Sequence, residues 1–364
     1  MKIQSIDVYP YEVDRQYGTV IASEGGDAKN VVAASRFLFV RAETDNGIIS
    51  WGEISDIEGD EGPTNLEQFT EQIREFMTGR SVFDVQSLHR DIPSICDRQT
   101  SFGSCLSCAL DMVMYDAQGQ ATGRPVYDLL GGAVRNEVTI SWVAYIRSEL
   151  DLIREEIQEK VAQGFRAFKL KVGVDIDLDE ERVAVAREIS GPEVSIKVDA
   201  NEGWSVSEAA DNIKRLDKYD IAGVESPVPR AEPADIAVVK KQVDVPILEH
   251  VQDMQYAIDV LKHDAVDVFN VATTGAGGLW PARQIVTLAE AAGVGVLLGS
   301  TVELGPGTLA QLHLAATVTN LTLPSDLVGP GLYLDDVLAE PLQYKAGKLH
   351  IPSDPGLGTV MGKL

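Results

Sequence analysis

The 364-residue chain is short of cysteine, of basic side chains and of long apolar runs. Its three cysteines are Cys96, Cys105 and Cys108. Three thiols make no disulfide framework, and the Cys105/Cys108 pair has no second pair or histidine couple to complete a zinc site. Such cysteine usage suits a reducing cytoplasm, and a cytoplasmic protein is the expectation. Lysine and arginine number 31 against 56 acids, a net charge of −25. That excess opposes binding to nucleic acid or to an anionic membrane surface. No apolar run approaches the roughly 20 residues of a membrane-spanning helix. The N-terminal MKIQSIDVYPYEV alternates like a strand and lacks the apolar core of a signal peptide.

What is present describes an ordinary globular chain, with 45% hydrophobic and 24% charged residues. Its length exceeds a usual single core, so a barrel of about 200–250 residues with a second domain is expected. Residues 1–56 read as antiparallel strands, with Asp45-Asn46-Gly47 as a turn. Between the first strands lies a Gly-rich polar stretch, Ser23 to Asp27 at its centre, which reads as a mobile loop. From Asn65 to about Leu130 the apolar spacing is helical, which makes residues 1–130 an α+β unit. Ser205 and Glu208 form a capping box that predicts a helix start.

The stretch that organises the chain is Phe168-Lys169-Leu170-Lys171-Val172-Gly173. Apolar and basic residues alternate, so Lys169 and Lys171 share one face of a strand. Alone, this pattern also fits an edge strand with solvated lysines. Three later apolar segments each end in an acid: Asp199, Glu225 and Glu249. The intervals from Lys171 are 28, 26 and 24 residues, the length of successive βα units in a parallel barrel. Functional residues of such barrels lie at the C-terminal ends of the strands, where all four positions fall. Two lysines facing carboxylates suggest a hard divalent cation with a base beside it. The plainer alternative pairs those acids with Lys197 or a neighbouring lysine.

At this point the chain resembles the enolase superfamily, and within it the muconate-lactonizing-enzyme subgroup. The resemblance runs nearly end to end. It rests on Trp51-Gly52-Glu53, on the run from Ala109 to Gly132, on Lys169 and Lys171, and on Asp199-Ala200-Asn201. Glu225, Gly275 to Gly278 and the stretch around Glu303 complete it. It implies an α/β fold: a modified (β/α)7β TIM-type barrel over residues 131–328, an α+β capping domain over 1–130, and a segment, 329–364, that returns to the cap. It further implies a loop from the cap that closes over the barrel mouth, Lys171 as base, Lys169 as charge partner, and Asn201 and Glu303 lining the site. Asp199 and Glu225 would ligate Mg²⁺, with Mn²⁺ a substitute. The family's third ligand belongs to an acidic pair on the fifth strand. Here the pair is Glu249-His250. An ungapped count from Pro246 reaches His250 and a one-residue gap reaches Glu249. We take Glu249, because Mg²⁺ favours carboxylate over imidazole, with His250 beside it.

Two departures shape the functional expectation. Where the subgroup carries a second lysine on the sixth strand, the sequence has Ala272, followed by Thr273 and Thr274 as hydroxyl candidates. Near the eighth strand only Asp326 remains of the acidic pair that family dipeptide epimerases use. Leu248 to Val251 and Asn270 to Gly275 resemble instead the family's cis-3-hydroxy-L-proline dehydratases. The expected reaction is α-proton abstraction from a small carboxylate followed by loss of water. The alternatives are a racemase or epimerase of an amino-acid derivative, a cycloisomerase, and a metal-binding barrel without catalysis. The family also implies a homo-oligomer.

Overall fold

In the computed structural model, which describes residues 1–22, 32–57, 59, 61–147 and 149–364, the alternating N-terminal segments form one antiparallel sheet. Its strands are β1 (Ile3–Thr19), β2 (Val32–Thr44) and β3 (Ile49–Ile54), paired in that order. Asp45-Asn46-Gly47 makes the turn between β2 and β3, closed by the Thr44 amide on the Ile48 carbonyl at 2.9 Å, with Gly47 at φ +83°. The Ser23 to Asp27 loop lies outside the described residues. Helices α1 (Leu66–Met77), α2 (Val85–Asp91), α3 (Ser101–Thr122) and α4 (Val126–Leu129) follow. Asn65 caps α1 and Thr100 caps α3, each accepting a backbone amide of the first turn. Helix α3 is buried from Gly103 through Gly119, because the sheet packs on it and so do helices α2 and α4. A Cβ on Gly52 would stand 2.0 Å from the Ala109 carbonyl oxygen, so only glycine lets β3 come this close to α3.

After β4 (Glu137–Thr139) the chain enters a seven-stranded parallel sheet. Its strands are β5 (Trp142–Ala144), β6 (Ala167–Lys171), β7 (Ser195–Asp199), β8 (Gly223–Glu225), β9 (Ile247–His250), β10 (Val268–Val271) and β11 (Gly295–Leu298), neighbours in sequence order. Helices α5 (Leu150–Ala162), α6 (Ile176–Ser190), α7 (Val206–Asp217), α8 (Pro233–Lys240) and α9 (Met254–Lys262) connect the strands as far as β10. The short α10 (Thr273–Ala276) then packs on α3, ahead of α11 (Leu279–Ala292) and α12 (Gly305–Thr317). The Ser205/Glu208 capping box opens α7 as the sequence predicts. The eighth strand shrinks to single bridges, Leu321 with Val296 and Ser325 with Ile140, which join the two ends of the sheet. Leu248, Val268 and Leu297 fill the barrel interior below the charged residues.

The C-terminal segment adds β12 (Lys348–His350), antiparallel to β4. Further on, the Leu357 amide donates to Asp116 Oδ1 on α3 at 2.9 Å. Among the described residues no helix is long and apolar enough to cross a membrane, and all three cysteines are free.

His313, on α12, is fully buried, with the Tyr127 amide donating to its Nδ1 at 3.3 Å. Burial lowers its pKa from 6.5 to about 4. The unfolded chain therefore takes up this proton at a higher pH than the fold does. The part of the stability that rests on neutral His313 is present above about pH 6.5 and is lost as the pH drops toward 4, by about 3 kcal/mol at roughly 1.4 kcal/mol per pH unit. In urea titrations across that window, His313→Gln should show a flatter pH dependence than wild type. Parallel curves for the two proteins would remove His313 from the acid response.

Candidate active site

Alternation along the barrel strands sends Lys169 and Lys171 of β6, Lys197 and Asp199 of β7, Glu225 of β8, His250 of β9 and Asn270 of β10 to the barrel interior. Lys169 Nζ sits 3.0 Å from Asp199 Oδ2, 2.9 Å from Glu225 Oε1 and 3.1 Å from Asp326 Oδ2. Lys171 Nζ donates to Asp199 Oδ2 at 2.7 Å. Deeper in, Lys197 Nζ reaches Asp326 Oδ1 and the Pro324 carbonyl, both at 2.7 Å. Ion pairing with lysine and a cation-ready cluster thus coexist. Asn201 lines the mouth, and its backbone N–H donates to Asp199 Oδ1 at 2.9 Å.

The electrostatics follow from this crowding. Burial would raise Glu225, yet Lys169 and then His250 overcome it and hold the carboxyl well below its usual range. Asp199 is lowered in the same way, against burial, by Lys169 and Lys171. Lys169 is raised well above its ordinary value, because three carboxylates outweigh the cost of burying it. Lys197 goes the other way: burial lowers it, and Asp326 offsets only part of that.

The third acid departs from expectation. Asp199, Glu225 and His250 present donor atoms within 4.8 Å of one another, with His250 Nε2 at 2.6 Å from Glu225 Oε1. Glu249 occupies the opposite face of β9, where Ser226 Oγ and the His250 amide both donate to its Oε1. Burial pushes its pKa up to about 7. Strand geometry decides here: neighbouring residues face opposite sides, so only one of Glu249 and His250 points inward. The three donors fit a divalent cation on a second observation. Glu225 Oε2 is buried with no hydrogen-bond partner, while its Oε1 receives Lys169 and Asn270 Nδ2.

The hydroxyl candidates also shift. Thr273 is fully buried, with an unpartnered Oγ1, and does not line the mouth. Thr274 Oγ1 donates to Glu303 Oε1 at 3.0 Å. Thr301 Oγ1 reaches the same oxygen at 3.1 Å, and Ser300 Oγ donates to Glu303 Oε2. Ser300, Thr301 and Tyr145 carry the hydroxyls on the barrel side of the cavity, beside Lys169, Lys171, Asn201 and His250. The cavity measures about 990 Å³, and its other wall comes from the N-terminal sheet and the residues after it. There Arg15 is held by Asp56 at 2.9 and 2.8 Å and by Ser35 Oγ at 2.9 Å. Sequence reasoning passed over Asn270, which carries the same period-two signal as the lysines. It had no local signal for Arg15 or Asp56, which meet the barrel only through the fold.

Residues 152–363 match the family model described as "Enolase C-terminal domain-like". Residues 26–131 match "Mandelate racemase / muconate lactonizing enzyme, N-terminal domain". Muconate cycloisomerase 1 of Rhodococcus opacus is 29% identical over 340 residues, covering 91% of this chain and 90% of that protein. The substrate-liganded L-Ala-D/L-Glu epimerase of Bacillus subtilis superposes with a TM-score of 0.90 at 28% identity, with 100% of both chains covered. The dipeptide epimerase of Enterococcus faecalis V583, solved with Mg and L-Leu-L-Tyr, gives 0.86 at 28% identity, covering 98% of this chain and 99% of that one.

Removing Asp326 would strip a carboxylate from two buried ammonium groups, Lys169 and Lys197. Breaking a buried pair from one side costs about 3–5 kcal/mol. Asp326→Ala should lower the urea midpoint accordingly, and Asp326→Asn, which keeps an acceptor, should lose less. An unchanged midpoint in the alanine variant would contradict this account of the barrel interior.

Proposed function

Because the chain belongs to the enolase superfamily, in its muconate-lactonizing-enzyme subgroup, we propose that it isomerises a small carboxylate through proton transfer at the α-carbon by Lys171. The observation that carries this reading is the contrast between the two lysines. Lys169 is fixed by three carboxylates and almost sealed, whereas Lys171 has one partner, Asp199, and opens into the cavity. Lys171 is therefore the amine that a substrate meets, and Lys169 supplies fixed positive charge behind it.

A divalent cation held by Asp199, Glu225 and His250 would supply the positive charge that offsets the negative charge a carboxylate gains as its α-proton leaves. Lys171 takes or returns that proton from its own face of the substrate. Ala272, just past β10, carries no amine, so among the described residues inversion by two lysines has no second partner on that strand. An intramolecular addition or its reversal needs one proton transfer at the α-carbon, and one amine performs it. Cycloisomerisation is accordingly the isomerase chemistry best matched to these side chains. The relatives are named cycloisomerases, epimerases and racemases. They lend no support to the expected loss of water from cis-3-hydroxy-L-proline, and isomerisation takes its place.

The test is α-proton exchange in deuterated solvent with a panel of lactones, dipeptides, N-acyl amino acids and hydroxyprolines. Wild type should wash deuterium into at least one substrate without inverting it. Lys171→Ala should slow that exchange by about 10²–10⁴-fold, the usual contribution of a positioned base. Exchange at the wild-type rate in the variant would place the base elsewhere. Release of water in place of an isomer would return the reaction to elimination.

A further inference from the structure

The cation site carries a nitrogen donor where an all-oxygen set was expected. Resting on the reading of Asp199, Glu225 and His250 as that site, we propose that His250 shifts its preference from Mg²⁺ toward first-row transition divalent cations such as Mn²⁺ and Co²⁺. Mg²⁺ is a hard ion that takes oxygen ligands in near-octahedral array. Imidazole is a softer donor, and it favours transition ions over Mg²⁺ at a site otherwise alike.

The histidine is built into the place. Asn270 lies opposite His250 in the β9–β10 register, and its side-chain amide holds Glu225 Oε1 at 2.7 Å. With Lys169 and His250 Nε2 on the same oxygen, Glu225 keeps its other oxygen, Oε2, buried and unpartnered. Glu249, the carboxylate that would restore an oxygen set, is held on the other face by Ser226 and the His250 amide. Bringing Glu249 inward would require a one-residue slip of β9, which would also turn Leu248 out of the barrel interior. The imidazole therefore stays.

Full-length protein stripped with a chelator would be titrated calorimetrically with Mg²⁺, Mn²⁺ and Co²⁺, with no substrate present. His250→Asp should lower the ratio of Co²⁺ to Mg²⁺ affinity by about tenfold or more, since it exchanges imidazole for carboxylate. Electron spin echo spectra of the Mn²⁺-loaded wild type should show nitrogen hyperfine coupling, and the variant should lose it. Should the variant fail to fold, wild type grown with isotopically labelled histidine supplies the comparison, because the coupling must change with the label. An unchanged affinity ratio, or a Mn²⁺ spectrum without histidine nitrogen, overturns the proposal. Neither measurement depends on turnover, so failure of Lys171 as base and failure of His250 as ligand are read separately.

Discussion

The ammonium of Lys169 is the contact on which the barrel's interior depends. It stands within about 3 Å of carboxylates from β7, from β8 and from the closing segment at Asp326. A buried charge left alone is costly, so these partners are held where they are. Lys197, Lys171 and their acids extend the set until three ammonium groups face three carboxylates. The eighth strand has almost no ladder of its own. Asp326 ties that segment inward through charge, where a longer strand would use backbone hydrogen bonds.

Much of this arrangement was legible because it depends on short-range periodicity. Lys169 and Lys171 share a face in any strand, and the intervals to Asp199 and Glu225 are set by the length of a βα unit. The turn at Asp45 to Gly47 and the capping box at Ser205 are likewise local chemistry. Glu249 and His250 show where such reading stops. Their positions differ by one residue, and in a strand one residue reverses the side. Ligand hardness argued for Glu249, and the register from Pro246 argued for His250. Geometry prevailed, because changing the face would also have turned Leu248 out of the core. Arg15 and Asp56 were not legible at all: they come from the N-terminal sheet and the segment after it, and only tertiary packing brings them to the mouth.

Several residues just beyond the barrel strands hold left-handed backbone. Asn201 and Glu202 follow β7, Ser226 follows β8, and Val302 follows β11, with φ between 42° and 64°. For a β-branched residue such as Val302 this conformation is disfavoured and must be imposed by its surroundings. Tyr333 Oη donates to its carbonyl at 2.8 Å, and the Val302 amide donates to Ser300 Oγ at 2.9 Å. These bonds hold Ser300, Thr301 and Glu303 around one bend. The rim of the cavity is thus built from turns that the chain would not adopt if left free.

Two buried acids of the N-terminal part end at helices of the barrel. Glu53 accepts the Leu304 and Gly307 amides at the start of α12, and Asp111 accepts the Leu279 amide at the start of α11. Each satisfies amides that a helix leaves open at its first turn. Roof and floor of the cavity are therefore not interchangeable modules. A roof borrowed from a relative to alter selectivity must bring acids to these same two helix starts, so the interface constrains how specificity can be redesigned.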